Sequence, residues 1–138
     1  MKTYSTQRRV EEKHIDKGNH ANWLSQLRIA EEVQFAFRDE LGIGLETLQE
    51  KHGLFLVMRT VSDVHYCREL RLGDTVNIMM TMWVLRPVSF GFECIFRKGN
   101  DVVTTMQWEM PLISATTGKV CLIPHWIKES IGLEKPES

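Results

Sequence analysis

The chain has 138 residues, of which 43% are hydrophobic and 25% are charged, values typical of a globular protein with one domain. Its 17 basic and 18 acidic residues nearly cancel, which gives no electrostatic reason to expect a nucleic-acid or membrane partner. No stretch approaches the roughly 18 consecutive apolar residues of a membrane span, and the N-terminus lacks an apolar signal core. These features predict one domain over 1–138, located in the cytoplasm, with a frayed tail after about residue 132.

The three cysteines, Cys67, Cys94 and Cys121, are far apart in the chain and lack the paired spacing of a metal site. Each is predicted to be a small core residue that stays reduced. No metal ion or redox cofactor is expected.

The first predicted element is an edge strand, because residues 3–12 alternate weakly and are mostly polar. A turn at Gly18-Asn19 then leads into a helix over 22–41, for which Asn22 is a suitable N-cap. Apolar residues spread over so much of this helix that we predict a central core helix surrounded by the domain. Its stripe comprises Trp23, Leu24, Leu27, Ala30, Val33, Phe37 and Leu41.

The remainder of the chain reads mainly as strands joined by short turns. After a short helical segment at 45–52, long strands are predicted at 54–66, 75–86, 89–97 and 102–114. A short extended run at 120–123 and a short C-terminal helix follow. Helices set apart from a meander of strands are typical of class α+β with an antiparallel sheet. Because the strands are long, we expect the sheet to curl around helix 22–41.

The segment from Asp16 to Trp23 contains the residues most suited to chemistry. A helix start offers unpaired N–H groups and the positive end of a dipole, which can stabilise an oxygen that becomes anionic during a reaction. An ionisable carboxylate beside such a helix start suffices to attack a carbonyl or to activate water for the attack. The alternative interpretation is that Asp16 only terminates a turn.

In its order of motifs, the chain resembles hotdog-fold thioesterases of the 4-hydroxybenzoyl-CoA thioesterase group, relatives of the plant acyl-ACP thioesterases. The resemblance covers roughly residues 4–127 and places Asn19 where many members have glycine and His14 where many have aspartate. The matching stretches are Val10–Asp16, His20-Ala21-Asn22, Glu31–Gln34, Tyr66–Thr75, Thr117-Gly118-Lys119 and Ile123-Pro124.

The resemblance implies a hotdog fold, a homodimer or homotetramer with active sites at the dimer interface, and hydrolysis of acyl-CoA or acyl-ACP in acyl-chain metabolism. Asp16 would be the general base or nucleophile, and backbone N–H groups around Ala21 and Trp23 would polarise the thioester carbonyl. His65, in the second predicted strand, is a further candidate for substrate binding. Coenzyme A would enter only as part of the substrate.

Several roles have competing interpretations. His20 either orients the thioester or Asp16, or is a buried turn histidine, and Asn22 is either catalytic or an N-cap. Glu31 or Glu32 is a candidate helix acid, and Glu69 is a weaker candidate. The spacing of residues does not single out which side chains would contact an acyl group or a nucleotide. The candidates are the strand methionines Met58, Met79, Met80, Met82, Met106 and Met110 for the acyl group, and the basic residues Arg59, Arg86, Arg97, Lys98 and Lys119 for the nucleotide.

Two rival functions stay open at this point. One is a non-catalytic protein that binds acyl-CoA and has a regulatory role. The other is a hotdog hydratase or dehydratase, for which the expected His-x-Pro-Gly segment is missing from the sequence.

Overall fold

A computed structural model describes residues 1–132 and contains three helices and six strands. The helices are α1 (Trp23–Glu40), α2 (Leu45–His52) and α3 (His125–Ile131), and a single 3-10 turn covers Glu12–His14. The strands are β1 (Lys2–Arg9), β2 (Leu54–Leu56), β3 (Thr60–Tyr66), β4 (Thr75–Arg86), β5 (Ser89–Lys98) and β6 (Asp101–Ser114). The predicted tail after residue 132 lies outside the described residues.

All strands belong to one antiparallel, curled sheet in the order β1-β4-β5-β6-β2, with β3 also paired to β6. The predicted edge position of the first strand is confirmed, because β1 pairs with β4 alone. The hairpin between β5 and β6 turns at Gly99, whose φ of 60° is accessible to glycine at little cost. The predicted class, α+β with a curled antiparallel sheet around a long helix, is confirmed.

The core lies between α1 and the concave face of the sheet. Alternation puts Val76, Ile78, Met80 and Met82 of β4 on this face, where all four are buried. The buried side chains of α1 that meet them are Gln26, Ile29, Ala30, Val33, Gln34, Phe37 and Arg38. The predicted helix is therefore correct in position, and its Asn22 N-cap is confirmed.

The predicted surrounding of α1 is only partly correct. Trp23 and Leu24 are each 58% exposed, because they lie in the first turn, beyond the part of the helix that the sheet covers. Glu31 and Glu32 are also exposed. Helix α1 thus buries one face, which contains polar as well as apolar residues, and its opposite face is exposed to solvent.

The single strand predicted over 54–66 is wrong, since the chain forms β2 and β3 with an irregular link between them. Within β3 the pairing with β6 passes from Ser62↔Gln107 to His65↔Thr105, so β3 carries one extra residue. Asp63, at φ 50°, occupies this bulge. Periodicity in one strand cannot reveal a slip of register against another.

The other departures lie near the C-terminus and among the cysteines. The run 120–123 forms only one bridge, between Val120 and Ile113, and is followed at once by Pro124, the N-cap residue of α3. Cys94 is buried as predicted, Cys121 is half-buried, and Cys67 is exposed, which contradicts its predicted core position. No helix within residues 1–132 has both the length and the apolar character needed to cross a membrane.

Candidate active site

The loop that carries Asp16 is closed by a bridge between Ile15 and Ala21. Inside the loop the backbone N–H of Gly18 donates to Oδ1 of Asp16 at 2.9 Å. Asn19 adopts a φ of 60°, a left-handed conformation that asparagine tolerates better than most residues. The tight loop thus presents the exposed carboxylate of Asp16 to solvent, just ahead of α1.

Three hydrogen bonds hold the junction between this loop and α1. The N–H of Ala21 donates to the Leu70 carbonyl at 2.7 Å, and the N–H of Asn22 donates to the His14 carbonyl at 3.1 Å. The Asn22 side chain accepts from the N–H of Ser25 at 2.8 Å, which is the capping bond expected from the sequence. The N–H groups of Ala21 and Asn22 are consequently occupied.

Two N–H groups remain available at the start of α1. Those of Trp23 and Leu24 have no acceptor within residues 1–132, because the first turn of a helix offers none and the Asn22 cap reaches only Ser25. They lie at the positive end of an 18-residue helix. This is where the geometry provides donors for a carbonyl oxygen that gains negative charge.

His20, the imidazole of the loop, is paired with Glu69. The distance from His20 Nε2 to Glu69 Oε2 is 2.7 Å, and Arg71 Nη2 donates to Glu69 Oε1 at 2.8 Å. The hydrogen bond from Arg71, together with the positive charges of Arg71, His20 and Lys98, lowers the pKa of Glu69. His20 is exposed, which rules out the buried-turn interpretation, and its role in catalysis stays a prediction.

The end of β3 reaches the same place through Tyr66 rather than through His65. The Tyr66 hydroxyl donates to the Trp23 carbonyl at 3.3 Å, and partial burial raises the pKa of this phenol. Adjacent residues of a strand point to opposite faces, so His65 is directed away from the side that Tyr66 occupies. His65 is exposed and has no hydrogen bond or ion pair from its side chain to another residue in 1–132. Its predicted contact with substrate is untested.

An apolar cavity of about 380 Å³ lies between α1 and the strands β2, β3 and β6. It begins at Leu27, one turn into α1, and extends along the helix to Arg38, a length of roughly 16 Å. Of the two adjacent helix acids, Glu31 lines it and Glu32 does not. Its lining comprises Leu27, Ala30, Glu31, Gln34, Phe35, Arg38, Leu45, Leu56, Met58, Val61, Met106, Trp108 and Met110.

The strand methionines divide between this cavity and the core. Met58, Met106 and Met110 line the cavity, whereas Met80 and Met82 are fully buried between sheet and helix. Methionine adapts its shape to flexible apolar partners. Because Met106 and Met110 are also buried core residues, core packing applies to most of this set, and contact with an acyl group stays a prediction for those that line the cavity.

Basic side chains gather beside the His20–Glu69 pair in an open cleft of about 570 Å³. Arg68, Arg71 and Lys98 line it, but each is within ion-pair distance of a carboxylate, those of Asp101, Glu69 and Asp74 in turn. The cleft has little net charge as a result. In residues 1–132 no group of three or more His, Cys, Asp or Glu side chains is arranged to hold a metal ion.

Solved structures of other proteins share the fold of this chain. A 1,4-dihydroxy-2-naphthoyl-CoA thioesterase from Synechocystis is 14% identical, with a TM-score of 0.84 over 98% of this chain and 100% of that one. A hypothetical protein from Staphylococcus aureus, solved in complex with CoA, is 19% identical, with a TM-score of 0.86 over 99% of this chain and 90% of that one. The chain has the hotdog fold.

The 12:0-ACP thioesterase from Umbellularia californica has the same fold, with 16% identity and a TM-score of 0.83 over 97% of this chain and 55% of that one. No family model and no curated protein matches the sequence. The resemblance to hotdog thioesterases is therefore confirmed as a shared hotdog fold, while the residues that act in it are inferred from the geometry.

Two side chains of this region were not found from the sequence. Tyr66 was noticed only as part of a motif, since its contact with Trp23 joins residues far apart in the chain. Arg38 was overlooked although it follows Gln26, Ala30 and Gln34 at intervals of four, in the face that the sheet buries. Three polar residues in such a series could have indicated that polar side chains are buried on this face of α1.

Proposed function

We propose that the chain hydrolyses acyl thioesters, with the thioester carbonyl at the start of α1 and the acyl group in the apolar cavity. The observation that carries the proposal is the pair of free N–H groups at Trp23 and Leu24, at the start of the helix that follows the loop with the exposed carboxylate of Asp16. Neither feature alone specifies a reaction. Together with a cavity whose lining begins one turn further along the helix, they match the requirements of thioester cleavage.

The helix start stabilises the charge that develops during the reaction. When a nucleophile adds to the thioester carbon, the carbonyl oxygen becomes negative, and N–H donors already fixed in place lower the energy of that state. One such donor is typically worth about 3 kcal/mol. The donors available in the folded chain are those of Trp23 and Leu24, since Ala21 and Asn22 use theirs to hold the junction.

Asp16 either attacks the thioester carbon with its own carboxylate oxygen or activates the water molecule that attacks it. As a general base it takes a proton from water while the water oxygen bonds to the thioester carbon; the C–S bond then breaks and the proton passes to the thiolate. As a nucleophile its oxygen bonds to the thioester carbon, the C–S bond breaks and the thiolate leaves, which gives an anhydride; water then cleaves the anhydride, releases the carboxylic acid and restores the Asp16 carboxylate. The Gly18 N–H engages Oδ1 of Asp16 in either case and fixes the carboxylate relative to α1.

In this scheme His20 positions the substrate and does not position Asp16. Its Nε2 is committed to Glu69, and Arg71 holds Glu69 from the other side, so the imidazole is fixed at the mouth of the site. Asn22 contributes by capping α1 and thereby fixing the direction of the free N–H groups. Ala21 supplies no donor in this scheme, because its N–H donates to the Leu70 carbonyl and its side chain is buried.

The acyl carrier is coenzyme A in this proposal, with acyl carrier protein as the alternative. One structural neighbour was solved with CoA and another is an ACP thioesterase, so the fold is compatible with both. The open cleft beside Glu69 offers Arg68 and Lys98 to the phosphates of a nucleotide, in exchange for their present carboxylate partners.

The functional unit is a homodimer, or a tetramer built from dimers, in which β3 continues the sheet across two chains. In residues 1–132, β3 pairs on one side only, and its exposed Val61 and the neighbouring Met58 present apolar surface beside that open edge. Light scattering of the purified protein is expected to give the mass of at least two chains. The mass of one chain at all concentrations would contradict this assembly.

A free-thiol release assay over a panel of acyl-CoA substrates tests the proposed activity. The wild type is expected to release CoA, and Asp16→Asn to lower kcat by about a thousandfold. Glu12→Gln, an equivalent change at an exposed carboxyl in the same segment, should leave the rate unchanged. Binding without turnover in the wild type would favour the regulatory function, and undiminished turnover in Asp16→Asn would contradict the mechanism.

A further inference from the structure

The most unusual charge in the described part of the chain is that of Arg38, near the end of α1. Arg38 is only 1% exposed, although arginine is rarely buried without a partner. No carboxylate in residues 1–132 lies within ion-pair distance of it. Burial lowers the pKa of Arg38 to about 10 against the opposing effect of the Asp39 charge, so the guanidinium remains charged at neutral pH. A positive charge is thus held inside the domain without a carboxylate in contact with it.

The hydrogen bonds of Arg38 fix the guanidinium but do not use all of it. Its Nε donates to the Ile43 carbonyl at 3.2 Å, and its Nη1 donates to Gln34 Oε1 at 2.9 Å. Both acceptors are neutral. The buried Nη2 has no acceptor in the described chain. A group with an unused N–H, a full charge and a fixed orientation is suited to an anionic acceptor that is not part of this chain.

The position of Arg38 in the apolar cavity indicates where such an acceptor would come from. Arg38 lines the end of the cavity that lies beside Leu45 and Leu56, whereas Leu27 marks the end beside the start of α1. Apolar side chains make up most of the wall between these ends. A chain that extends from Leu27 to Arg38 along this wall passes apolar surface and the side chain of Glu31 before it reaches the guanidinium.

We propose that the apolar cavity binds acyl groups that carry a carboxylate at the end remote from the thioester, with Arg38 as the counter-ion. The proposal rests on the proposed function for the position of the thioester, and it adds the substrate class: acyl-CoA esters of dicarboxylic acids. Gln34 is a positioning residue in this site, because it holds Nη1 and leaves Nη2 for the ligand. A simple fatty acyl group would fill the cavity but leave the buried charge unpaired.

Two kinetic comparisons test the proposal. Tetradecanedioyl-CoA and tetradecanoyl-CoA have the same chain length, which is sufficient to reach from the start of α1 towards Arg38, and they differ only in the terminal carboxylate. The wild type is expected to prefer the former in kcat/KM by at least about tenfold. Arg38→Met should reverse this preference, and Arg38→Lys should restore part of it. Arg28→Met, a change on the same helix outside its buried face, is the matched control and should keep the wild-type preference.

A binding measurement separates this proposal from the proposed function and does not depend on a stable variant. Octanedioate, but not octanoate, is expected to raise the thermal midpoint of the wild type, and Arg38→Met should abolish the shift. If octanedioate binds in this way but no thioester is cleaved, the anion site stands and the hydrolase activity fails. If thioesters are cleaved through Asp16 with equal preference for both chains and equal shifts, the hydrolase stands and the inference is overturned.

Discussion

At the start of α1, the charges of His20, Glu69 and Arg71 are exposed and paired with one another, whereas near its end Arg38 is buried with neutral partners. Exposed pairs contribute little to stability and can exchange partners with a ligand or with water. A buried charge without a counter-ion opposes folding, and binding an anion relieves that cost. The first end of α1 is thus suited to a reaction that consumes water, and the second to recognition of an anion.

Glu109 provides the reference for this comparison, because it is a nearly buried charge whose partners are present. It accepts from Ser89 Oγ and from Arg86 Nε at 2.8 Å, and these hydrogen bonds, with the charge of Arg86, lower its pKa. Glu109→Gln is expected to reduce the free energy of unfolding by about 2 kcal/mol at pH 7. Urea denaturation of the variant and of the control Glu93→Gln measures this effect.

The pH dependence of that difference follows from the direction of the shift. A carboxyl whose folded pKa is depressed stabilises the protein above its ordinary value of 4.5, and this contribution disappears as the pH falls through the lower folded value. The curves of wild type and Glu109→Gln should therefore converge below about pH 4. If the difference in free energy of unfolding between the two proteins stayed constant to lower pH, the hydrogen bonds would not be stabilising the charged form of Glu109.

Glu69→Gln tests whether the paired charges at the start of α1 serve catalysis rather than stability. The change removes the charge that holds His20 and Arg71, and kcat/KM for acyl-CoA is expected to fall about tenfold, the value of one charge-assisted hydrogen bond. The thermal midpoint should not change, because Glu69 is exposed. Glu46→Gln, at an exposed site in α2, controls for the loss of a surface charge. Equal rates for all three proteins would remove His20 and Glu69 from the mechanism.

Arg38→Met tests the other end of α1 and is expected to have only a small effect on stability. Methionine is unbranched and adaptable like the arginine stem, and it removes an unpaired buried charge at the loss of two hydrogen bonds to neutral acceptors. We expect the free energy of unfolding to stay within about 1 kcal/mol of the wild type. Denaturant unfolding, with Arg28→Met as control, gives the result. A loss of about 3 kcal/mol or more would indicate that a carboxylate already compensates Arg38.

Features that depend on interactions between near neighbours in the chain could be predicted from the sequence, whereas features that depend on contacts between distant segments could not. The bounds of β4, β5, β6 and α1 follow from alternation, helical spacing and turn residues, all of which act between near neighbours. The cap at Asn22 is local as well and was predicted correctly. The break between β2 and β3 and the bulge at Asp63 within β3 were missed because both depend on register with β6.

The candidate site was predictable only in its central segment. Asp16, His20 and Asn22 lie within seven residues of one another, and their position before a helix is visible in the sequence. The pairing of His20 with Glu69, the contact of Tyr66 with Trp23, and the burial of Arg38 all depend on how distant segments meet. Such contacts leave no periodic signal, and the polar series on α1 gave only an indirect one.

The crystal structure of Asp16→Asn with a bound acyl-CoA is the most direct test of the central claim, that the thioester is held at the start of α1. The account predicts that the thioester oxygen lies within about 3 Å of the Trp23 or Leu24 N–H and that the amide introduced at position 16 faces the carbonyl carbon. It also places the acyl group along the apolar cavity. A thioester bound away from the first turn of α1, with both N–H groups still free, would contradict the account.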